Sequence, residues 1–187
     1  MIRWVVVGLG NPGKRYENTR HNVGFVVVER LGKKLDVRSW KLEKKFNAEI
    51  METGDVLILK PQTFMNESGK AVAAVVRFYK IPLDHLIVIH DDLDIPLGMT
   101  KMAFGRGPKI HNGLDSVEAL VGSKDFWRIR IGVDNRTHEV KAQVTPAEYV
   151  LKQLVESESK LLGKAFDDAL SRVREIMKNN NVAVIME

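Results

Sequence analysis

The stretch IRWVVV (Ile2–Val7) is followed at once by GLGNPG (Gly8–Gly13), and these two pieces decide the fold. The first piece is apolar and rich in β-branched residues, which predicts a buried strand. Asn11-Pro12-Gly13 is typical of a turn, so the strand ends in a loop. The next apolar segment, Val23–Leu31, has helical spacing. The chain therefore begins with a strand, a polar loop and a helix.

The same alternation of strands and helices continues along the chain. Thr53-Gly54-Asp55 indicates a hairpin between two apolar segments. We predict strands at Phe46–Met51, Val56–Leu59, Leu86–Ile89 and Phe126–Val133, and helices at Ala71–Phe78 and Leu114–Val121. This pattern predicts an α/β fold with a central mixed sheet packed by helices. Because no repeat, low-complexity tract or long linker interrupts it, residues 1–187 are expected to form a single domain.

Two more helices are expected towards the C-terminal end. Thr145–Glu148 is typical of a helix start, with a Thr cap, Pro at the first helical position and Glu at the capping-box position. The last helix is predicted from an apolar face formed by Leu161, Leu162, Ala165, Phe166, Ala169, Leu170 and Val173.

The composition excludes several kinds of chemistry. The chain has no cysteine, which rules out disulfides, thiolate zinc sites and a cysteine nucleophile. Lysine and arginine exceed the acidic residues by 29 to 24, and this net charge of +5 suits a polyanionic partner such as nucleic acid. A merely solvated basic surface is the alternative. No apolar stretch has the length of a membrane span, and no targeting segment is recognisable, so we expect a cytoplasmic protein.

The first polar loop, Gly8–Gly13, matches the pattern G-x-G-x-x-G. In a dinucleotide-binding fold this pattern opens a helix whose N-terminus faces pyrophosphate. Here turn residues lie inside the pattern, and Lys14–Asn18 have no apolar helical face. We therefore reject dinucleotide binding and interpret the motif as a tight turn after the strand.

The second polar loop, Lys60–Gly69, follows a strand and precedes a helix. Asn66 could cap that helix, which is the commonest use of Asn at such a place. The alternative is that its amide serves as a paired donor and acceptor in a site. Phe64 and Met65 beside it are more often core residues than a platform for a ligand.

The third polar segment, His90–Asp94, carries three carboxylates and one histidine. Asp91, Asp92 and Asp94 raise the hypothesis of a divalent metal site. A solvated acidic turn is the alternative, and a further candidate role is a carboxylate that orients a histidine.

The fourth segment, Gly105–Gly113, is a basic, glycine-bearing loop before a helix. Backbone amides and a lysine near a helix start can hold phosphate. A flexible surface loop is equally compatible with this sequence.

Among five histidines, His21 is singled out because Asn11, Tyr16, Asn18 and Asn22 lie in the same loop. His85 and His138 have little beside them that suggests more than an ordinary surface histidine. No serine lies in an elbow such as G-x-S-x-G. If the protein is a hydrolase, the nucleophile is therefore expected to be water activated by His21.

These motifs together resemble the bacterial peptidyl-tRNA hydrolase family. The blocks are GLGNPGKRYENTRHNVGF, KPQTFMNESGKAV and HDDLDIPLG, followed by HNG and WRIRIGV, and they span roughly Val5 to Val133. Each is weak alone, but their order and spacing make them specific. Tyr149–Leu151 also resembles the family's C-terminal segment. The resemblance implies a single α/β domain with a twisted mixed sheet.

The resemblance also implies roles for individual residues. His21 matches the family's catalytic base, and Asp91 the residue that stabilises the active form of that histidine. Asn11 matches the residue that separates N-blocked from free aminoacyl-tRNA. Four further positions match contacts to peptidyl-tRNA, namely Tyr16, Phe64, Asn66 and Asn112.

The implied reaction is hydrolysis of the ester that joins a peptide to its tRNA, by a cytoplasmic monomer without cofactor or metal. A neutral imidazole takes a proton from water, and asparagine amides donate to the developing oxyanion. Arg106 and Lys109 are candidates for tRNA phosphate contacts by composition, with Lys101 and Arg130 as further ones.

One loop departs from the resemblance. The family usually has a glycine-rich run before HNG, whereas here the run reads Gly105-Arg106-Gly107-Pro108-Lys109-Ile110. Bulky residues and a proline stiffen and enlarge a loop expected to be mobile near the substrate. This departure bears on how the loop controls access of the substrate, more than on the activity itself.

Two rival functions remain open at this point. One is a non-catalytic RNA-binding relative, against which the intact Asn11, His21 and Asp91 argue. The other is a metal-dependent phosphohydrolase that uses the carboxylates of the third segment. Activity in excess chelator would separate the second rival from a metal-free esterase.

Overall fold

A computed structural model describes residues 1–36 and 39–183, with side chains up to residue 179. The strands are β1 (Trp4–Gly8), β2 (Lys41–Glu43), β3 (Ala48–Thr53), β4 (Val56–Pro61), β5 (Leu86–Pro96), β6 (Thr100–Phe104) and β7 (Trp127–Asp134). They form one seven-stranded sheet in the order β2-β3-β4-β1-β5-β7-β6. The four central strands, β4, β1, β5 and β7, run parallel, while β2, β3 and β6 pair antiparallel. The predicted mixed sheet is thus confirmed.

Helices lie on both faces of this sheet. They are α1 (Val23–Lys34), α2 (Ser68–Tyr79), α3 (Asn112–Val121), α4 (His138–Gln143), α5 (Pro146–Val150) and α6 (Glu156–Ala183). Side chains of β1 alternate between two cores: Trp4 and Val6 join the core beneath α1 and α6, while Val5 and Val7 join the core beneath α2 and α3. No helix in the described residues is long and apolar enough to cross a membrane.

The start of α5 follows its sequence signal. At α5, the Thr145 hydroxyl accepts from the backbone N–H of Glu148, and the Glu148 carboxylate accepts from the backbone of Thr145. The predicted capping box is therefore confirmed. The buried face of α6 is also confirmed at Leu162 and Phe166, but Leu161 is 56% exposed and does not belong to it.

Two glycines bring α1 close to the sheet. A Cβ atom at Gly8 would lie 2.3 Å from the carbonyl oxygen of Gly24, and one at Gly24 would lie 2.4 Å from the carbonyl oxygen of Ile89. Only residues without a side chain fit there. This close approach holds the start of α1, and with it the preceding His21, against the end of β1 and the middle of β5.

Three parts of the sheet differ from the prediction. β5 was expected to end at Ile89 and to be followed by a polar loop, but it runs on to Pro96 with an irregularity between Asp92 and Pro96. The polar segment His90–Asp94 therefore lies on the strand. β6 pairs with β7 at one edge of the sheet and β2 pairs with β3 at the other, and neither edge strand was predicted.

Candidate active site

The polar segments converge where the parallel strands end. One edge of the sheet brings together the loop after β1, the loop after β4 and the polar half of β5. Each of these segments contributes a residue to the same cavity, namely Asn11, Met65 and Asp91. The cavity there has a volume of about 560 Å³. It is lined by Asn11, His21, Phe64, Met65, Asn66, Asp91, Asp92, Leu93, Ile110, His111, Asn112, Thr145, Pro146, Ala147, Val150 and Leu151. Such an edge is where α/β folds commonly bind ligands.

The central pair of the cavity is His21 and Asp91. His21 lies in a 3-10 turn, Arg20–Asn22, just before α1. Its Nδ1 atom lies 2.8 Å from Oδ1 of Asp91, a carboxylate on β5 that is almost fully buried. Because an ionised carboxylate only accepts, Nδ1 carries the proton and donates it. Nε2 of His21 is therefore the unprotonated nitrogen of the neutral ring.

The electrostatics of the pair favour the protonated form of His21 and the ionised form of Asp91. Burial lowers the pKa of His21, but the charge of Asp91 and its hydrogen bond outweigh that effect, and the net pKa lies above the ordinary value. Burial raises the pKa of the Asp91 carboxyl, while His21 and His111 hold it far below its ordinary range. Asp91 thus stays ionised, and His21 holds a proton more readily than a free imidazole.

His111 is a site residue that the sequence did not single out. Its Nδ1 accepts from the backbone N–H groups of Gly113 and Leu114, at 3.1 and 3.2 Å, and so caps α3. Nδ1 must then be unprotonated, which leaves the proton on Nε2. That Nε2–H donates to Oδ1 of Asp91 over 3.0 Å. Helix cap and active-site carboxylate are therefore joined by one imidazole.

His90 packs against His111 next to this cluster. It is fully buried, its Nδ1–H donates to the carbonyl oxygen of Asp91 over 2.6 Å, and its ring meets that of His111 edge-on. Burial, and then the neighbouring His111, hold the pKa of His90 well below the ordinary value. His90 is thus a neutral packing partner. His138 is exposed and His85 stacks on Trp4, as ordinary surface histidines do.

Asn11 is held firmly at the floor of the cavity. Its backbone N–H donates to Asn22 Oδ1 and its carbonyl accepts from Asn22 Nδ2, both over 2.9 Å. Its side-chain Oδ1 accepts from the backbone N–H of Met65 over 2.8 Å. Within the described part of the chain the amide nitrogen Nδ2 has no hydrogen-bond partner. The side chain therefore offers a fixed donor to the cavity.

The other residues matched by resemblance lie around the rim. Asn66 and Asn112 line the cavity and are exposed. Asn66 is not a helix cap, because Glu67 occupies that position of α2. Phe64 is 58% exposed, so its assignment to the core was wrong, while Met65 is buried as expected. Tyr16 lies outside the cavity lining and meets the Phe64 ring edge-on, with centroids 6.4 Å apart.

The carboxylates of the third segment do not form a shared site. Asp91 binds the two histidines, Asp92 is buried and pairs with Arg130 over 2.6 Å, and Asp94 accepts from the backbone N–H of Lys109. This separation contradicts a metal site built from these three acids. The metal-capable group found in the described residues is instead His21, Asp91 and His111, with ligand atoms within 4.8 Å of one another. In this group the Nδ1–H of His21 and the Nε2–H of His111 already donate to the Asp91 carboxylate.

The basic loop is only partly suited to phosphate. Arg106 and Lys109 are exposed, as a phosphate contact requires. The backbone N–H groups of Gly113 and Leu114 at the start of α3 are not available, since the His111 imidazole accepts from them. Arg130 is engaged by Asp92, and Lys101 on β6 is exposed. Any phosphate contact of this loop would thus rest on side chains.

A second feature missed by the sequence ties His21 to the far wall of the cavity. The guanidinium of Arg20 is buried, pairs with Glu158 over 2.5 Å and donates to the carbonyl oxygens of Lys152 and Gln153 over 3.2 Å each. It also stacks on the Tyr149 ring. Lys152, Gln153 and Glu158 follow the cavity-lining segment from Thr145 to Leu151. Arg20 therefore links the turn that carries His21 to that wall of the cavity.

The fold and the site define an α/β protein with a histidine–carboxylate pair on the wall of a cavity at the ends of its parallel strands. A family model described as Peptidyl-tRNA hydrolase matches residues 5–187. The chain belongs to the peptidyl-tRNA hydrolase family.

Individual relatives agree with this assignment. The chain is 43% identical over 180 residues to the peptidyl-tRNA hydrolase of Thermoanaerobacter sp., covering 94% of both chains. It is 50% identical over 135 residues to that of Neisseria meningitidis serogroup C, covering 70% of each. The crystal structure of peptidyl-tRNA hydrolase from Acinetobacter baumannii superimposes with a TM-score of 0.82 at 33% identity, covering 97% of this chain and 91% of that one.

Proposed function

We propose that this protein hydrolyses the ester bond of peptidyl-tRNA, releasing peptide and free tRNA, with His21 as the general base. Membership of the peptidyl-tRNA hydrolase family supports the reaction. The observation that carries the role of His21 is the 2.8 Å hydrogen bond from its Nδ1 to the buried Asp91, on the wall of the cavity.

In this mechanism water lies against Nε2 of His21 and attacks the ester carbonyl. The proton of the water moves to Nε2, and the negative charge of Asp91 stabilises the imidazolium that forms. When the tetrahedral intermediate collapses, the imidazolium returns the proton to the leaving ribose oxygen. Asp91 keeps its charge throughout and acts by orientation and electrostatics.

The amides around the cavity suit the remaining tasks. Nδ2 of Asn11 donates from a fixed position because Met65 holds its Oδ1. Asn66 and Asn112 are neutral donors at the rim. Neutral donors stabilise a developing oxyanion without attracting a free carboxylate. We assign contacts with peptidyl-tRNA to these two residues and to Tyr16 and Phe64.

We further propose that the chain acts as one domain and as a monomer in the cytoplasm, where translation supplies peptidyl-tRNA. The single sheet that carries all of the site supports the first part. The mass in solution from light scattering tests the second. Arg106 and Lys109 are our proposed phosphate contacts, supported by their exposure beside the cavity residue Ile110.

The decisive experiment measures release of an N-acetylated amino acid from tRNA, with the unblocked aminoacyl-tRNA as control. We expect rapid hydrolysis of the blocked substrate, little of the unblocked one, and no loss of rate in excess chelator. Failure to hydrolyse the blocked substrate would overturn the proposed activity. Loss of rate in excess chelator would instead favour a metal-dependent mechanism at the His21–Asp91–His111 group.

A further inference from the structure

The most exposed apolar side chain of the cavity has no task in the proposed hydrolysis. Ile110 lines the cavity and is 82% exposed, the most exposed large apolar side chain among the cavity-lining residues. A large aliphatic group left in water at the rim of a binding cavity is typical of a ligand contact. It lies in the loop where bulky residues replace the glycines that resemblance led us to expect.

The backbone on both sides of Ile110 is fixed. On one side, the N–H of Lys109 donates to the Asp94 carboxylate over 3.3 Å. On the other, the His111 imidazole binds both the start of α3 and Asp91. Ile110 is also β-branched, so few side-chain rotamers are open to it. The apolar contact is therefore presented from a segment that is hydrogen-bonded on both sides of Ile110.

The cavity that Ile110 lines contains further aliphatic side chains. Leu93, Val150 and Leu151 line the same cavity, and Leu151 is 45% exposed. The nearby charges are already satisfied, because Asp91 accepts from two histidines and Asp92 pairs with Arg130. This part of the cavity thus suits a branched hydrocarbon group better than a charged or flat polar one.

A different part of the site suits the terminal base of the tRNA. Phe64 and Tyr16 form an aromatic pair at the rim, and aromatic rings are the usual platform for an unstacked base. The aliphatic part remains for the acyl group. The side chain of the esterified residue is attached to the carbon next to the attacked carbonyl, so it must lie close to His21. Ile110 adjoins His111, which shares Asp91 with His21.

We propose that Ile110, with Val150 and Leu151, forms a specificity subsite for the side chain of the esterified residue. The subsite favours peptidyl-tRNA whose esterified residue is aliphatic, such as leucine or valine, over peptidyl-tRNA whose esterified residue is glycine. This inference rests on the proposed hydrolysis of peptidyl-tRNA. It concerns which acyl groups are preferred and leaves the role of His21 unchanged.

The test compares N-acetylleucyl-tRNA with N-acetylglycyl-tRNA, both built on the same tRNA. For the unmodified protein we expect kcat/KM to be about tenfold higher for the leucyl substrate, the scale of a small apolar contact. Ile110→Ser should bring that ratio close to one by lowering only the leucyl value. Ile110→Val should keep most of the preference. Leu120→Ser, which removes a partly exposed leucine on α3 outside the cavity lining, is the matched control and should leave the ratio unchanged.

Three results would count against the subsite. An equal kcat/KM for the two substrates in the unmodified protein would remove the preference. A ratio unchanged by Ile110→Ser, with both values of kcat/KM kept, would move the contact elsewhere. An equal loss for both substrates would mean that Ile110 touches a shared part, such as the terminal adenosine. In each case hydrolysis of N-acetylglycyl-tRNA would leave the proposed activity intact, whereas its absence together with that of leucyl hydrolysis would refute the activity itself.

Discussion

Nε2–H of His111 and Nδ1–H of His21 donate to the same oxygen, Oδ1 of Asp91, over 3.0 and 2.8 Å. The carboxylate is therefore held from two sides. One donor belongs to the proposed base and the other to the cap of α3, so the orientation of Asp91 depends on the helix as well as on its own strand. The residues on either side of this oxygen can be tested separately.

The first prediction concerns the base. His21→Ala should lower turnover by about 10²–10⁴-fold, the usual contribution of a general base. Affinity for tRNA should change little, because the proposed role of the imidazole is at the ester and not at the phosphates. Single-turnover hydrolysis and tRNA binding are measured side by side. His138→Ala, at an exposed histidine on α4, is the control and should behave as the unmodified protein. Near-normal turnover of His21→Ala would remove His21 from the mechanism.

The second prediction concerns Asp91. The base works in its neutral form, so the rate should rise with pH through the raised pKa of His21. Asp91→Asn keeps the shape and removes the charge that raises this pKa. The rise in rate should therefore shift to lower pH, and the plateau should fall because the imidazolium loses its counter-charge. A pH–rate profile unchanged in position and height would contradict the pairing.

The neighbouring acids supply the controls for Asp91. Asp94→Asn should leave the profile where it is. Asp92→Asn breaks a buried ion pair with Arg130 and should reduce the free energy of unfolding by about 1–3 kcal/mol, again without moving the profile. Equal losses of rate in all three variants, restored by a divalent cation, would favour the metal-dependent alternative.

The third prediction separates the two tasks of His111. His111→Ala removes both the helix cap and the donor to Asp91. His111→Asn keeps a good cap but is too short to reach the carboxylate. We expect the alanine variant to be less stable than the asparagine variant by about 1 kcal/mol in urea unfolding. Both should lose a similar share of kcat. If the asparagine variant kept full activity, the contact with Asp91 would have no role in catalysis.

The fold was largely predictable because its signals are local. β1 and α1 have apolar patterns with the periods of a strand and a helix, and the α5 start carries its capping box in four consecutive residues. β6 was not predicted because an edge strand that is only partly buried lacks such a pattern. The continuation of β5 through His90–Asp94 escaped for another reason. Its polar side chains are buried by partners distant in sequence, which no local pattern contains.

The site was predictable as a set of residues and much less as an arrangement. His21 and Asn11 stood out through the crowded loop, but the partner of a side chain cannot be found from spacing alone. His111 lies far along the chain from His21, and only the fold brings both to Asp91. The buried Arg20–Glu158 pair is hidden in the same way. Phe64 was misjudged because apolar character alone does not distinguish a core residue from a contact surface.

The fourth prediction concerns phosphate contacts. Replacing Arg106 and Lys109 together by Gln should weaken tRNA binding and reduce its dependence on salt concentration, since each phosphate contact releases counterions. The matched control replaces Lys33 and Lys80, exposed residues at the ends of α1 and α2 remote from the site, by Gln. It changes the net charge equally and should alter the salt slope less. An equal slope in both variants would place the phosphate contacts elsewhere.

The last prediction concerns discrimination at Asn11. A peptidyl-tRNA presents a neutral amide next to the esterified residue, with a carbonyl oxygen that accepts a hydrogen bond. An unblocked aminoacyl-tRNA presents an amine there, and its charged form has donors only. Asn11 offers the cavity its donor Nδ2, because Met65 N–H occupies Oδ1. The donor pairs with the amide carbonyl and opposes the ammonium, which also loses hydration on entry.

Asn11→Asp should therefore narrow the preference for the blocked substrate. One carboxylate oxygen can still accept from Met65, so the loop should keep its structure. The other replaces the Nδ2 donor with a negative acceptor, which repels the amide carbonyl and attracts an ammonium. The loss of one matched contact from a buried site is large, since it leaves groups unpaired. The ratio of kcat/KM for N-acetylaminoacyl-tRNA and its unblocked counterpart measures the effect at pH 7, where the carboxylate is more fully ionised than in acid. A ratio equal to that of the unmodified protein would mean that Asn11 has a structural role only, set by its bonds to Asn22 and Met65.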